Sequence, residues 1–208
     1  MVKPMAKPMV KLFVEGGGDS DALKTECRQA FTKLLERAGL KGRMPRVVAC
    51  GARRSAFEQF CTALEGAGKG DLAILLVDAE SAVTHGSPWD HVATREGDKW
   101  VRPKGATDEQ LHLMVECMES WFLADPRALA VFYGGGFHAS KLPTGKPESV
   151  SKADLYHKLA EATKDTKTKG SYGKGTHSFK LLATLDPSLV AAACPWAAKF
   201  FESLRELL

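Results

Sequence analysis

Leu12-Phe13-Val14-Glu15-Gly16-Gly17-Gly18-Asp19-Ser20-Asp21 joins an apolar run to a carboxylate, three glycines and an acidic helix start. The run Met9 to Val14 reads as a buried strand, since bulky and β-branched residues crowd it. Glycines lack a Cβ and let the chain turn sharply from strand into helix. Asp19 or Ser20 can cap the segment Asp21–Ala38, where Leu23, Cys27, Phe31, Leu34 and Leu35 recur at helical spacing. This turn holds Glu15 at the carboxyl end of a strand, the edge where open α/β sheets place their sites. Two phosphate-binding glycine motifs are excluded. A dinucleotide fingerprint needs a third glycine where Asp21 stands, and a P-loop needs a Gly-Lys-Ser/Thr that does not follow. Asp19 and Asp21 would repel phosphate, so the loop suits a cation first.

Working outward, Gly39-Leu40-Lys41-Gly42 ends the first helix, and Arg46 to Cys50 reads as a second strand. Gly51 to Ser55 turns into a helix from Ala56 to Leu64, capped by Ser55, and Gly66 to Gly70 is a flexible break. Leu72 to Val77 is an uninterrupted apolar run, the mark of a parallel strand covered on both faces. It ends in Asp78-Ala79-Glu80. The order β-α-β-α-β predicts a parallel sheet with right-handed crossovers. Ser81 to Thr107 is a long polar connection, a length that inside a compact domain marks a functional or mobile segment. Gln110 to Cys117 suits strand or helix; we read a short strand, Leu111 to Val115, then a helix from Met118 through Phe132 with a break at Asp125-Pro126. Gly134-Gly135-Gly136 ends that unit.

The remainder changes character. Nine lysines stand against four acidic residues between Ser140 and Lys180, so this part is locally basic. A helix from Lys152 to Ala162 capped by Ser151 is followed by a Thr/Lys/Gly loop, Thr163 to Thr176. Two closing helices, His177 to Leu185 and Trp196 to Leu208, complete the chain.

The length of 208 residues suits one domain with a decorated end, and 44% apolar residues supply a core. A net charge of +4 permits an anionic partner. The five cysteines form no Cys-x-x-Cys pair and read as small core residues of a reducing, cytoplasmic protein. Met1-Val2-Lys3-Pro4 opens without an apolar signal run and no stretch approaches a membrane span, so no membrane partner is expected. His85, Asp90 and His91 lie close in sequence, but zinc needs a fourth ligand that is missing there.

The acidic residues carry the chemistry. Glu15 ends the first strand and Asp78 the third; residues two apart on an extended chain point the same way, so Asp78 and Glu80 can share a site. Carboxylates gathered on one sheet edge disfavour one another's ionised forms unless a cation lies among them. Oxygen-only ligands suit Mg²⁺ or Mn²⁺. The metal candidates are therefore Glu15, Asp19, Asp78 and Glu80, with Asp19 equally readable as a helix cap and Asp21 as a charge facing the helix dipole.

Val14-Glu15-Gly16…Asp19 followed by Asp78-x-Glu80 resembles the TOPRIM domain of topoisomerases, primases and overcoming-lysogenization-defect nucleases, with Glu80 where that family usually carries a second Asp. The stretch His112 to Asp125, containing Glu119-Ser120-Trp121, is similar to a narrower group of small TOPRIM-like proteins of bacterial defence loci akin to the RloB family. Tyr172-Gly173-Lys174-Gly175-Thr176-His177-Ser178-Phe179 is similar to the same group. The resemblance implies a three-layer α/β/α, TOPRIM-like (Rossmann-like) parallel sheet over residues 1–135, with a basic helical C-terminal extension, 136–208, packed on it. It also implies an Mg²⁺-dependent nuclease, an anti-phage role, and gating by a partner ATPase of the structural-maintenance type.

Other residues divide between chemistry and simpler roles. Glu119 beside an apolar face is a ligand, a water orienter, a scaffold for the site or a solvent-facing charge. Glu116 reads as a surface residue, and Trp121 and Phe122 as core. Lys174 in a glycine-rich loop can offset charge on a phosphate, or is simply solvated. Arg53, Arg54, Lys169 and His177 are the candidate nucleic-acid contacts, with DNA ahead of RNA; His177 can equally open a helix. The catalytic set is then Glu15, Asp78, Glu80, Glu119 and Lys174. A different class of function remains open, a non-catalytic metal- or nucleotide-binding subunit of an ATPase complex, as does a nucleotidyl transferase. The sheet edge beyond the second strand can pair with a copy of itself.

Overall fold

Four parallel strands form the centre of the computed structural model, which describes residues 9–208 apart from 69 and 85. Met1-Val2-Lys3-Pro4 and His85 lie outside the described residues. The strands are β1 (Val10–Val14), β2 (Arg46–Ala49), β3 (Leu72–Asp78) and β4 (Leu111–Met114), in the order β2-β1-β3-β4. Leu12 of β1 stands opposite Val47 of β2 and Ile74 of β3.

Side chains alternate across this sheet as the period of two requires. Leu12, Val14, Ile74, Leu76 and Met114 enter one core, and Phe13, Leu75, Val77 and Leu113 enter another. Helix α1 (Asp21–Leu35) packs on the first face, and helix α2 (Arg53–Glu65) with α3 (Pro88–Thr94) covers the second. The result is a three-layer α/β/α arrangement. From Ala73 to Asp78 every residue of β3 is buried, which explains its unbroken apolar run. Each fully buried Leu, Ile or Phe in these layers is worth about 1.5–3 kcal/mol.

The later chain builds onto the first face. Helices α4 (Pro126–Tyr133), α5 (Lys152–Thr163), α6 (Ser178–Leu182), α7 (Pro187–Ala193) and α8 (Pro195–Leu207) follow β4. Phe200 of α8 meets His112 of β4 edge-on at 5.3 Å, and Trp121 lies between Phe200 and Phe31 of α1. One apolar core thus runs from Leu12 to Leu204.

Several boundaries differ from expectation, each for a local reason. The first helix stops at Leu35 and continues as a π-helical turn, Glu36–Leu40, in which Gly39 takes φ 89°. Helix α2 begins at Arg53 rather than Ala56, and Ser55 lies inside it, because the chain turns earlier, at Gly51 with φ 76°. The long connection 81–107 contains α3, with Ser87 as cap and Pro88 in its first turn, a start signal the sequence reading passed over. Asp186-Pro187 opens α7 in the same way. Met118–Ala124 is a 3₁₀ segment, and the break at Asp125-Pro126 is real, with Asp125 capping α4. Ser20 caps α1 and Ser151 caps α5 as expected. Among the described residues, no helix is long and apolar enough to cross a membrane.

Candidate active site

The strand order fixes where a site belongs. From β1 the chain passes to β2 on one side, then crosses back over β1 to reach β3 on the other, with α1 and α2 on opposite faces. The carboxyl ends of β1 and β3 therefore flank the point where the winding reverses, the crevice in which doubly wound sheets bind ligands. Glu15 follows β1 and Asp78 ends β3, so the two stand on either side of it.

Glycines make room there. Gly16 and Gly51 exchange two backbone hydrogen bonds of 2.9 Å each, which ties the turns after β1 and β2 together. Gly17 has φ 90°, and a Cβ on it would lie 2.7 Å from the Lys24 Cα. A Cβ on Gly51 would run into the Gly18 carbonyl oxygen. No larger residue fits either position without moving backbone.

Glu15, Asp78 and Glu80 bring one carboxylate oxygen each to within 4.8 Å of the others. Glu15 Oε2 accepts from the Asp78 backbone N–H at 3.1 Å and from Arg53 Nη1 at 3.1 Å. Asp78 Oδ1 accepts from the Met118 backbone N–H at 2.8 Å. Glu80 takes φ 67°, unusual for a residue with a side chain, and its N–H donates to the Glu116 carbonyl at 2.7 Å. Burial, reinforced by Glu15 and Glu119, pushes Asp78 up to about 8 against the pull of Lys152 and Lys174. Burial also raises Glu15, with Glu80 adding to it and Arg53 opposing. Burial pushes Glu80 up too, but the hydrogen bond and charge of Lys152 bring it below its ordinary value.

Cations surround these acids. Lys152, the first residue of α5, places Nζ 2.7 Å from Glu80 Oε2 and 3.6 Å from Asp78 Oδ2. Arg53 is held by Glu15, by the Asp78 carbonyl, and by two 2.7 Å bonds to Asp98, whose side chain is 2% exposed. Trp100 lies 4.8 Å beneath its guanidinium. A cleft of about 280 Å³ opens beside the acids, walled by the glycine turn, Leu23, Phe179 and Lys174. Its buried polar side chains are Glu119, 1% exposed, Ser178, 2% exposed, and Asp78, 6% exposed. Glu119 accepts three hydroxyls, from Tyr172 at 3.0 Å, Ser178 at 3.1 Å and Tyr156 at 3.1 Å. Burial and then the Glu119 charge push both tyrosines well above the ordinary phenol range.

Residues 14–205 match the family described as Domain of unknown function (DUF4276). The chain belongs to that family. No curated protein and no solved structure matches it. Every side chain named in the cleft falls inside the DUF4276 segment, with Glu15 near its start and Ser178 toward its end.

Within this DUF4276 chain, the sequence candidates fall in distinct places. Glu15, Asp78 and Glu80 converge, and Glu119 and Lys174 line the cleft beside them. Glu119 is inside rather than facing solvent. Asp19 is exposed at the end of the glycine turn and is not among the converging carboxylates. Arg53 is an internal clamp, whereas Arg54 is exposed and pairs with Glu58 at 2.8 Å. Lys169 is exposed, with its ammonium 4.8 Å from the Phe132 ring. His177 is buried, and its Nδ1 lies 3.1 Å from the Tyr133 hydroxyl and accepts from the Gly173 N–H at 3.2 Å. That bonding anchors the loop bearing Lys174. His91 bonds the Ala79 carbonyl at 2.8 Å and so braces the turn between Asp78 and Glu80. Glu116 is no free surface residue, because its Oε2 accepts from the Lys152 N–H at 2.8 Å.

Sequence reasoning missed Lys152, Asp98, Tyr156 and Tyr172. For Lys152 a signal existed. A cation in the first turn of a helix opposes the helix dipole, and such a residue needs anionic partners. Tyr156 follows it by one helical turn, on the same face.

Proposed function

We propose that this chain is a divalent-metal-dependent phosphodiesterase that cuts nucleic acid, a TOPRIM-like nuclease related to the RloB-like defence proteins. The observation that carries this reading is the meeting of Glu15, Asp78 and Glu80 within 4.8 Å at the switch point of a parallel sheet. The donors are all carboxylate oxygens, and burial, with the charges of Glu15 and Glu119 adding to it, holds Asp78 up to about 8 even with Lys152 nearby. Both features fit a hard divalent cation. Glu15, Asp78 and Glu80 would hold Mg²⁺ or Mn²⁺, which when bound polarises a phosphoryl oxygen and lowers the pKa of water. Glu15, raised by burial and oriented by Arg53, is suited to take the proton of the attacking water. Lys174, facing Asp78 across the cleft, offsets charge on the phosphate in the transition state. Glu119 fixes the wall by holding α5, the glycine loop and α6 together through three hydroxyls. The exposed lysines between residues 141 and 180 supply a track for the nucleic-acid backbone, and a partner ATPase of the structural-maintenance type gates cleavage.

The test is cleavage of supercoiled plasmid, linear duplex, single-stranded DNA and RNA with Mg²⁺, Mn²⁺ or EDTA, with wild type beside Asp78→Asn. Metal-dependent cutting that the variant lacks supports the reading. Cutting that survives both EDTA and the substitution removes it.

One observation favours a second reading. Each of the three carboxylates already has a protein cation beside it, Arg53 for Glu15 and Lys152 for Asp78 and Glu80. A non-catalytic subunit that senses metal or nucleotide would need no more. In that case Glu15→Gln and Asp78→Asn leave the activity of a purified ATPase complex unchanged.

A further inference from the structure

Arg53, Lys152 and Lys174 all border the acidic cluster, and they are held differently. Arg53 is fixed by Glu15, the Asp78 carbonyl, both oxygens of Asp98 and the face of Trp100. Lys174 rides a loop with its ammonium 5.5 Å from the Tyr156 ring. The Lys152 ammonium touches two of the three carboxylates, Glu80 at 2.7 Å and Asp78 at 3.6 Å, and among the described residues it bonds to no other side chain.

Lys152 is also placed against its own helix. It is the first residue of the 12-residue α5, where the dipole disfavours a cation, and its backbone N–H is tied to Glu116 at 2.8 Å. The backbone is therefore fixed, while the four-carbon side chain is held at its tip by the two carboxylates. A lysine ammonium is a compact point charge on a flexible stem, unlike a forked guanidinium locked by several bonds. Its side chain is 23% exposed, so an exit toward water exists.

We infer that Lys152 is an exchangeable counter-ion, which holds Asp78 and Glu80 together in the metal-free protein and is displaced from them by the divalent cation. This rests on the metal-site reading above and adds to it a residue that sets metal affinity. An ammonium and a divalent cation cannot share the same carboxylate oxygens at contact distance without strong repulsion. Where the cation takes the oxygens that Lys152 now holds, its binding breaks the Lys152 contacts, and the ammonium released beside the cleft would then meet the anionic substrate. Metal affinity in the absence of substrate is held down by the lysine.

The test is Mn²⁺ titration of the full chain, with free Mn²⁺ followed by electron paramagnetic resonance, on wild type, Lys152→Met, Lys152→Gln and Lys152→Arg. Circular dichroism and melting checks accompany each. Removing one positive charge from contact with the site should tighten Mn²⁺ binding at least about tenfold in Lys152→Met and Lys152→Gln. Lys152→Arg, which keeps the charge, should bind no more tightly than wild type. The two neutral variants should also melt lower than wild type without metal and gain more on adding it. Lys152→Gln retains a donor for Glu80 and serves where Lys152→Met does not fold. Unchanged or weaker Mn²⁺ binding in a folded neutral variant, beside a wild type that does bind, overturns the inference alone. Absence of Mn²⁺ binding from wild type and all variants overturns the metal-site reading and this inference with it.

Discussion

The acids and the cations of the cleft come from regions built in different ways. Glu15 and Asp78 ride on β1 and β3, each of which has a strand on both sides. Lys152 opens a helix added after the sheet is complete, and Lys174 lies in the stretch between α5 and α6, where no regular element forms. A carboxylate that is to hold a cation gains from a rigid support, since ligand spacing decides affinity. A cation that follows the charge of a bound anion gains from a flexible one. Arg53 is the exception that clarifies the rule. It is a cation with a fixed duty, orienting Glu15, and it is locked as firmly as the acids.

Breaking the acidic side should have the largest effect. On the proposed nuclease reading, Asp78→Asn is expected to lower metal-dependent cleavage at least about a thousandfold, by removing one of the carboxylates that would hold the metal. The same variant probes the buried carboxyl group. In the folded chain Asp78 keeps its proton up to about 8, whereas an unfolded aspartate loses it near about 4. The folded state binds the extra proton between those values, so stability without metal falls as pH rises through that window. Asp78→Asn should flatten that fall in melting temperature, and an unaltered pH profile would place Asp78 in water rather than in the interior.

Arg53→Ala should come next, now in stability. It leaves Glu15 without its cation and Asp98, 2% exposed, with Arg95 at 3.0 Å as its remaining cation, a loss of about 3 kcal/mol on urea unfolding. A loss below about 1 kcal/mol would mean that the clamp is a surface pairing after all. Lys174→Ala tests the mobile side. The residue is exposed, so stability should change by no more than about 0.5 kcal/mol. On the nuclease reading, cleavage should drop roughly 10- to 100-fold, through loss of the positive charge that faces the phosphate. Equal losses of stability and activity would move Lys174 from the chemistry to the scaffold. Arg54→Ala is the smallest change, because Arg54 is 87% exposed and pairs with Glu58 along its own helix. Cleavage within about twofold of wild type is expected; a larger drop would extend the nucleic-acid path across α2.

The same contrast decides what could be read from the chain. The acidic half was legible because its geometry is local. Glu15 is fixed by a strand and three glycines, and Asp78 by the end of an apolar run. Their convergence then follows from how parallel strands order themselves. The cationic half depends on contacts far apart in sequence. Arg53 meets Asp98 across 45 residues, and Lys152 meets Glu80 across 72, and no spacing rule connects such pairs. The short helices α3 and α7 were missed because seven residues carry too little periodicity, although Ser87-Pro88 and Asp186-Pro187 announced both starts. Glu119 looked misplaced beside an apolar face because its three hydroxyl partners, Tyr156, Tyr172 and Ser178, arrive from later segments.

The central placement of β1 and β3 has a consequence in time as well as in space. The N–H of Glu15 donates to the Leu76 carbonyl, and that of Asp78 to the Glu15 carboxylate, inside the most enclosed part of the sheet. Such amides exchange with deuterated water only when the whole protein opens, whereas residues 164–177, joined to the rest largely through side chains, exchange by local opening. Mild heating or dilute denaturant should then release Lys174 while the carboxylates keep their spacing. On the proposed nuclease reading, cleavage would fade before the fold does, and it would return on cooling without any refolding step.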